Sequence, residues 1–446
     1  MSRVAIIGEN SITYIELLLD VWNSGDCAVL VDWRIPFPTA LQMMIDANVE
    51  KCYIEENIFH QIKEFNSSHI IFSVYKKCDC LTALLPPEIY TKYHENYSKE
   101  EAIVIYSSGT TGKAKGVILS HYAITTNADA IISYMNLNES DCMYMVKTIS
   151  HLSSITGELL VSLKVKNQLL ISPVIVPPRF ILHNIQRYNV SKICLNPTLL
   201  ELIVKEYQRR TYNISSLGDI FIQGAKTNDV LGKKARTIFN KCNIYFEYGL
   251  TEAGPRVASQ KVNEVCNSSV GKPILGVKVV AISEQGSTAK ANEKGIIHVK
   301  TPSVFSGYIQ GSKRLPSLYN GWLNTGDIGF LDDVGDLHIV GRADDVLNIC
   351  AHKIYPYDVE KQIQKFADVQ ECVVTAVQFH NEEMLCCLYV SDVEIHKDIK
   401  KILGSVLIRY EIPKAFFRIN AIPKKTSGKI AMKKVKEIIL QNLQKA

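Results

Sequence analysis

The chain has no apolar run approaching the length of a membrane span, which excludes a helical membrane protein. No block of five or more like charges occurs. The formal charge of +5 is spread along 446 residues, so a nucleic-acid surface is not indicated and no nucleic-acid partner is expected. Internal repeats and low-complexity segments are absent. The first apolar run, Val4-Ala5-Ile6-Ile7, is too short for a signal peptide, and no membrane partner is expected. Paired cysteine motifs are also missing. Twelve cysteines are scattered, mostly within apolar runs such as Ile193-Cys194-Leu195. Cys78 and Cys80 form a lone Cys-x-Cys with no second pair, which argues against a metal site. Without a secretory signal the thiols read as reduced, buried and cytoplasmic.

What is present is length and order. A chain of 446 residues exceeds a single core, so two or three domains are expected. Apolar residues at 47% and charged residues at 21% are ordinary for a globular protein. From residue 1 to about 250, strand-like apolar runs alternate with amphipathic segments. Val4 to Ile7 precedes a helix capped by Ser11, and Ala28 to Val31 precedes one beginning near Pro38. Ile193 to Leu195 leads into Thr198 to Arg209, and Ile220 to Ile222 into Asn228 to Phe239. Such alternation implies parallel sheets covered on both faces. Between about 262 and 341 short strands with glycine turns suggest a β-rich subdomain. From 342 to 446 mixed segments suggest a separate C-terminal domain. Gly341 to Asp345 has the glycine and acidic residues of a hinge, or equally of an ordinary turn.

The densest chemistry lies in Tyr106-Ser107-Ser108-Gly109-Thr110-Thr111-Gly112-Lys113-Ala114-Lys115-Gly116-Val117. It follows the apolar run Ala102 to Ile105. Glycines let backbone N–H groups approach a polyphosphate, hydroxyls donate to it and lysines neutralise it. The spacing is not that of a Walker loop. Taken alone, the stretch also fits a flexible surface loop.

Four later segments remove that isolation: Tyr248-Gly249-Leu250-Thr251-Glu252, Asn324-Thr325-Gly326-Asp327, Gly341-Arg342-Ala343-Asp344-Asp345 and Pro423-Lys424-Lys425-Thr426-Ser427-Gly428-Lys429. In this order, over almost the whole chain, the set resembles the adenylate-forming enzymes: acyl-CoA synthetases, aryl-CoA ligases and peptide-synthetase adenylation domains. The resemblance implies an α/β fold. Residues 1–341 would form an AMP-binding domain of two αβ-layered sheets plus the β-rich subdomain. Residues 342–446 would form a small mobile α+β lid carrying the catalytic lysine. It also implies an ATP- and Mg²⁺-dependent biosynthetic ligase. A carboxylic acid would be activated as acyl-AMP with release of pyrophosphate. The acyl group would then pass to a pantetheine thiol of CoA or of an acyl or peptidyl carrier protein.

By the same resemblance, Ser107, Ser108, Gly109, Thr110, Thr111, Gly112 and Lys115 would cradle the phosphates. Glu252 would hold Mg²⁺, Thr251 would contact phosphate, and Tyr248 would stack on adenine beside Gly224 and Ala225. Asp327 would accept both ribose hydroxyls, as a carboxylate suits a cis-diol, and Arg342 would add a contact. Lys429 would bridge carboxylate and α-phosphate in the transition state. His151, in Ile149-Ser150-His151-Leu152-Ser153-Ser154, would gate the acyl pocket. Each has a plainer reading: a solvated Glu at a strand end, a turn Asp, a surface Arg, one lysine of a basic tail, a structural His.

The chain departs from the family's pattern at several points. Leu152 stands where amino-acid-activating members carry an Asp, which favours an acid without an α-amino group. Gln223 replaces a glycine of the adenine-edge loop, and with Thr156 hints at a polar or aromatic acid. Ala351 replaces a glycine that lines the pantetheine tunnel. Ala114 replaces a proline, Met432 replaces an arginine, and some forty to fifty residues that family members commonly carry before Val4 are missing. Two alternatives stay open, an amino-acid-activating enzyme and a catalytically weakened nucleotide-binding paralogue. Loss of Glu252, Asp327 or Lys429 would mark the latter, and all three are present.

Overall fold

The computed structural model describes residues 1–62, 70–77, 82–107, 115–173, 176–224, 229–262, 269–309, 318–349, 352–366, 368–380, 382–424 and 429–445. The first sheet runs in the order Gly307–Tyr308, Lys115–Ser120, Glu101–Ser107, Cys27–Val31, Arg3–Ile7, Lys51–Glu55, Ile71–Tyr75. Its last five strands are parallel, and the Lys115–Ser120 strand folds back antiparallel on Glu101–Ser107. Successive side chains of a strand face opposite sides. Accordingly, Val4 and Ile6 enter one core while Ala5 and Ile7 enter another. Strands buried on both faces have no polar face to alternate with, which is why Cys27–Val31 reads as a continuous apolar run.

Next to its antiparallel edge strand Ala83–Leu84, the second sheet has five parallel strands in the order Gln168–Ile171, Cys142–Met145, Lys192–Leu195, Asp219–Ile222, Asn243–Gly249. Helices Ile12–Asn23 and His121–Met135 lie between the two sheets and share one core with Ile6, Leu30, Met143, Cys194 and Phe221. Helices Pro178–Tyr188, Pro197–Arg209 and Asp229–Ile238 cover the far face. The expected cap is in place, the Ser11 hydroxyl accepting from Tyr14 N–H. The Asn196 side chain caps the helix Pro197–Arg209, which starts one residue before its expected first residue, Thr198.

The β-rich segment departs from its expected bounds. It begins at Arg256, and it continues the second sheet through antiparallel pairing of Arg256–Lys261 with Asn243–Gly249. The turn Thr251–Ala253 sends the chain straight back. Gly249 permits this because a Cβ there would lie 1.7 Å from the Pro255 carbonyl oxygen. Ser269–Pro273, Leu337–Arg342, Trp322–Leu331, Gly295–Lys300 and Lys278–Ile282 extend the sheet in that order.

After the short turn Ala343–Asp345, a hairpin (Leu347–Ile349 with His352–Ile354) leads into a three-stranded sheet. That sheet comprises Glu371–Phe379, Glu382–Val390 and Ala415–Ile419. Helices Pro356–Ile363 and His396–Val406 pack on one side of it and Met432–Leu443 on the other. Val435 and Ile439 of the last helix are fully buried, so its apolar stripe is spent on its own sheet and not on a membrane.

Candidate active site

In a parallel sheet, ligands gather beyond the carboxyl ends of the strands. Both sheets direct such ends toward a common region. The Glu101–Ser107 and Lys115–Ser120 strands close the stem of the phosphate-loop candidate by pairing Ser107 with Lys115. Ser108, Gly109, Thr110, Thr111, Gly112 and Ala114 lie outside the described residues, as do Ala225, Ala351, Cys78, Cys80 and Thr426 to Gly428.

Glu252 sits on the turn just past the Asn243–Gly249 strand. Tyr308 Oη donates to its Oε1 at 2.7 Å, and the Lys115 ammonium lies 5.3 Å above the Tyr308 ring. Burial, followed by the Glu252 charge, pushes the Tyr308 phenol far up, so it stays a donor. The strand Gly307–Tyr308 reaches this place by pairing with Val117 and Ile118 at the base of the loop. Sequence reasoning missed Tyr308, which belongs to none of the motif segments. Among the described residues no cluster of three or more acidic, His or Cys side chains is suited to a metal. A single carboxylate fits Mg²⁺, which is usually held by one or two carboxylates together with substrate phosphates.

Asp327 forms a second centre. Tyr248 Oη donates to one carboxylate oxygen, while Arg342 donates to the other at 2.9 Å and to the Thr325 carbonyl at 2.8 Å. The 2.8 Å that separates Arg342 from a Cβ built on Gly326 shows how closely the guanidinium lies against that turn. The three predicted nucleotide residues are thus brought into one hydrogen-bonded group, with each Asp327 oxygen keeping lone-pair capacity.

His151 stands on the loop that follows the Cys142–Met145 strand of the second sheet. Asn10 fixes its loop by donating to the Lys147 and Ser172 carbonyls and accepting from Ile149 N–H. The imidazole has Asp32, Arg34, Lys147 and Lys429 within electrostatic reach. Part of its surface reaches solvent, yet crowding by protein pushes its pKa down to about 4. Lys147, Arg34 and Lys429 act in the same direction and Asp32 against it. Lys429 is exposed and near enough to be felt, so the C-terminal segment faces the cleft in this structure. The folded-state pKa is depressed below 6.5. Stability from this group is therefore fully present above that pH and lost as pH falls toward about 4. An NMR titration of the His151 ring is expected to show a midpoint near 4 and a neutral ring at pH 7, and a midpoint above 6 would refute the assignment.

Beneath the cleft lies an ionic cluster that the motif scan passed over. Lys147 pairs with Glu158 at 2.9 Å, and Arg256 Nε with Glu247 Oε2 at 2.9 Å, all nearly or fully buried. Tyr134 donates to Glu247, and Arg256 lies 2.9 Å from a Cβ built on Gly157. Burial pushes the Glu158 carboxyl up against the opposing pull of Lys147. Glu158 was detectable, being a lone charge within the otherwise uncharged Ile155–Leu160 turn. That turn is π-helical, a widening often found at functional sites. Thr156, expected as a pocket polar group, has its hydroxyl bonded to the Leu152 carbonyl at 3.2 Å.

The C-terminal segment meets the rest of the molecule through ion pairs Lys294–Asp358, Lys353–Glu284 and Lys424–Glu201. All are partly or largely solvent-exposed, the class of pair that contributes about 0–1 kcal/mol each.

This arrangement matches known proteins along its length. A family model described as AMP-binding enzyme covers residues 1–309, and one for the AMP-binding enzyme C-terminal domain covers residues 358–429. The 2-succinylbenzoate–CoA ligases of Bacillus cereus and Bacillus mycoides are each 25% identical over 452 residues, spanning 98% of this chain and 88% of theirs. In fold, ATP-bound MatB from Rhodopseudomonas palustris superposes with a TM-score of 0.84 at 20% identity, over 98% of this chain and 88% of that one. The O-succinylbenzoate coenzyme A synthetase of Bacillus subtilis in complex with AMP does so at 0.78 and 21%, with the same coverage. With one family model alone spanning more than half of the sequence, the chain belongs to the AMP-binding enzyme family.

Proposed function

We propose that this protein is an ATP-dependent acid–thiol ligase that activates a carboxylic acid as acyl-AMP and then transfers the acyl group to CoA. The observation that carries this reading is the common cleft. It has an acidic residue beside a lysine at the phosphate-loop stem (Glu252, Tyr308, Lys115), a carboxylate centre suited to ribose (Asp327, Tyr248, Arg342), and an exposed lysine within electrostatic reach of His151 (Lys429). Relatives named as CoA ligases support CoA over a carrier protein as the acceptor. The buried, apolar Leu152 is consistent with an acid that has no α-ammonium.

In this reading the substrate carboxylate attacks the α-phosphorus of ATP, forming a C–O–P linkage as the bond to pyrophosphate breaks. Lys429 offsets the charge that builds between the two anions. Ser107 to Lys115, with Thr251, holds the phosphates, and Asp327 with Arg342 holds the ribose. Tyr248, together with Gly224 and Ala225, would flank adenine. Glu252 would hold Mg²⁺, which supplies charge neutralisation at the phosphates. His151, neutral at pH 7, would border the acyl group. Reorientation of 342–446 about Asp344 would admit the thiol for the second step. The exposed ion pairs between the segments cost little to break.

The test is acid-dependent ATP–pyrophosphate exchange over aryl, short-chain, long-chain and amino acids, followed by detection of the CoA thioester. Exchange with an acid and thioester formation are expected, whereas ATP binding without exchange would refute the reading. Tyr308→Phe is expected to raise the Mg²⁺ concentration for half-maximal exchange by about tenfold or more, since a hydrogen bond to a charged group contributes about 1.5–3 kcal/mol. An unchanged Mg²⁺ dependence would remove Tyr308 from the site.

A further inference from the structure

The most telling unexplained group near the cleft is the Gln223 side chain. Gln223 is 4% exposed, yet among the described residues neither its Nε2 nor its Oε1 has a hydrogen-bond partner. Burying an amide with both ends unpaired costs on the order of several kcal/mol. A native core rarely retains such a group without a partner supplied from elsewhere.

Its position says where the partner comes from. Gln223 is the first residue past the Asp219–Ile222 strand, at the carboxyl end where ligands gather. By strand alternation it shares a face with Phe221, two residues back. Phe221 stacks on Tyr245 at 4.8 Å and meets Tyr134 of the helix between the sheets. The register pairs Ile222 with Phe246, so Gln223 stands beside Glu247. Gln223 is therefore set at the top of the Phe221 column, beside Glu247 of the ionic cluster, whose partner Arg256 lies against Gly157 of the turn that follows His151.

The cluster limits what can sit there. Lys147 is matched by Glu158 and Arg256 by Glu247, two cations against two anions, all dry. Such a floor cannot yield to a longer apolar tail without stranding a buried charge, and it holds no surplus positive charge for a second carboxylate. An amide offers one acceptor and two donors, so its complement is a neutral group that both donates and accepts.

We propose that Gln223 reads the far end of the substrate acid, and that this acid is short and carries a neutral hydrogen-bonding group there, a hydroxyl or a carboxamide. This rests on the adenylation reading and narrows it. Gln223 acts on which acid is chosen, while the chemistry at the carboxylate is left to other residues. A site built around a hydrogen bond discriminates against the analogue lacking it, because its own polar group is then left unpaired.

The experiment measures ATP–pyrophosphate exchange by the full-length protein on two matched series. One comprises benzoate, 3- and 4-hydroxybenzoate, 4-carbamoylbenzoate and terephthalate. The other comprises straight-chain acids of four to six carbons ending in methyl, hydroxyl, carboxamide or carboxylate. A hydroxyl- or carboxamide-bearing acid is expected to exceed its methyl, unsubstituted and carboxylate counterparts by at least about tenfold in kcat/KM. Gln223→Leu is expected to lower kcat/KM for that acid by about 10–100-fold, with KM for ATP unchanged and the preference erased. Gln223→Asn, which keeps an amide but withdraws it by one methylene, is run beside it and should lose the same preference. It supplies the contrast if the Leu variant does not fold. Wild-type preference for methyl- or carboxylate-ended acids, or a polar preference that survives in both variants, would overturn the assignment of Gln223 while leaving adenylation intact. Exchange with no acid in any series would overturn the adenylation reading and this one together.

Discussion

Lys429→Ala is expected to reduce acid-dependent ATP–pyrophosphate exchange by about 10²–10³-fold, the usual loss when one group that stabilises transition-state charge is removed. The residue is exposed, so the variant should fold and keep its affinity for ATP. Its charge reaches His151 from the C-terminal segment. The fall should appear in kcat with KM for ATP little changed, because the interaction is strongest where charge develops between carboxylate and α-phosphate. Thioester formation from a pre-made acyl-adenylate should fall much less, since that step follows reorientation of the segment. Equal loss in both half-reactions would point to a damaged fold. Undiminished exchange would remove Lys429 from the chemistry.

Arg256→Leu is expected to destabilise the large N-terminal part by about 3–5 kcal/mol, read from urea unfolding followed by tryptophan fluorescence. The guanidinium is almost fully buried against Glu247, and removing it leaves a buried carboxylate that, among the described residues, keeps Tyr134 alone as partner. The double variant Arg256→Leu with Glu247→Leu should recover much of that loss, because replacing both charges leaves nothing unpaired. Comparable loss in the double variant would mean that the pair matters for shape and not for charge balance. Glu158, paired with Lys147, gives an independent check. Glu158→Gln should be milder than Arg256→Leu, since the neutral amide is cheaper to bury.

The contrast between these two residues reflects what was legible. Lys429 is named by a local string, Pro423 to Lys429, and such strings survive because phosphate and ribose chemistry needs particular residues at short range. The same holds for Glu252 and Asp327. Glu252 lies just past a strand end, so its motif and its place in the fold could be read together, whereas Asp327 lies inside the Trp322–Leu331 strand. The helix cap at Ser11 was equally local.

Tyr308 was not legible. Its role depends on a two-residue strand pairing with Val117, far away in sequence, which sets the phenol on Glu252. The β-rich segment was placed about six residues late for a similar reason. The strand Arg256–Lys261 looks unremarkable alone, and it belongs to the second sheet only because the turn at Thr251 folds it back. Thr156 was read as a pocket residue from its type, but its hydroxyl is taken by its own helix.

By itself, the sequence determined the alternation of strands and helices, the two-face burial of the parallel strands and the order of the nucleotide motifs. All three follow from side-chain period and from residue types needed within one turn or loop. Only the tertiary structure decided which faces meet. Lys147, Glu158, Glu247 and Arg256 come from four separate elements, and their charges are tolerable only because the packed sheets bring them within 2.9 Å of a partner. Gln223 is ordinary in the sequence. It becomes informative only when packing removes water from an amide and leaves both of its ends unmatched.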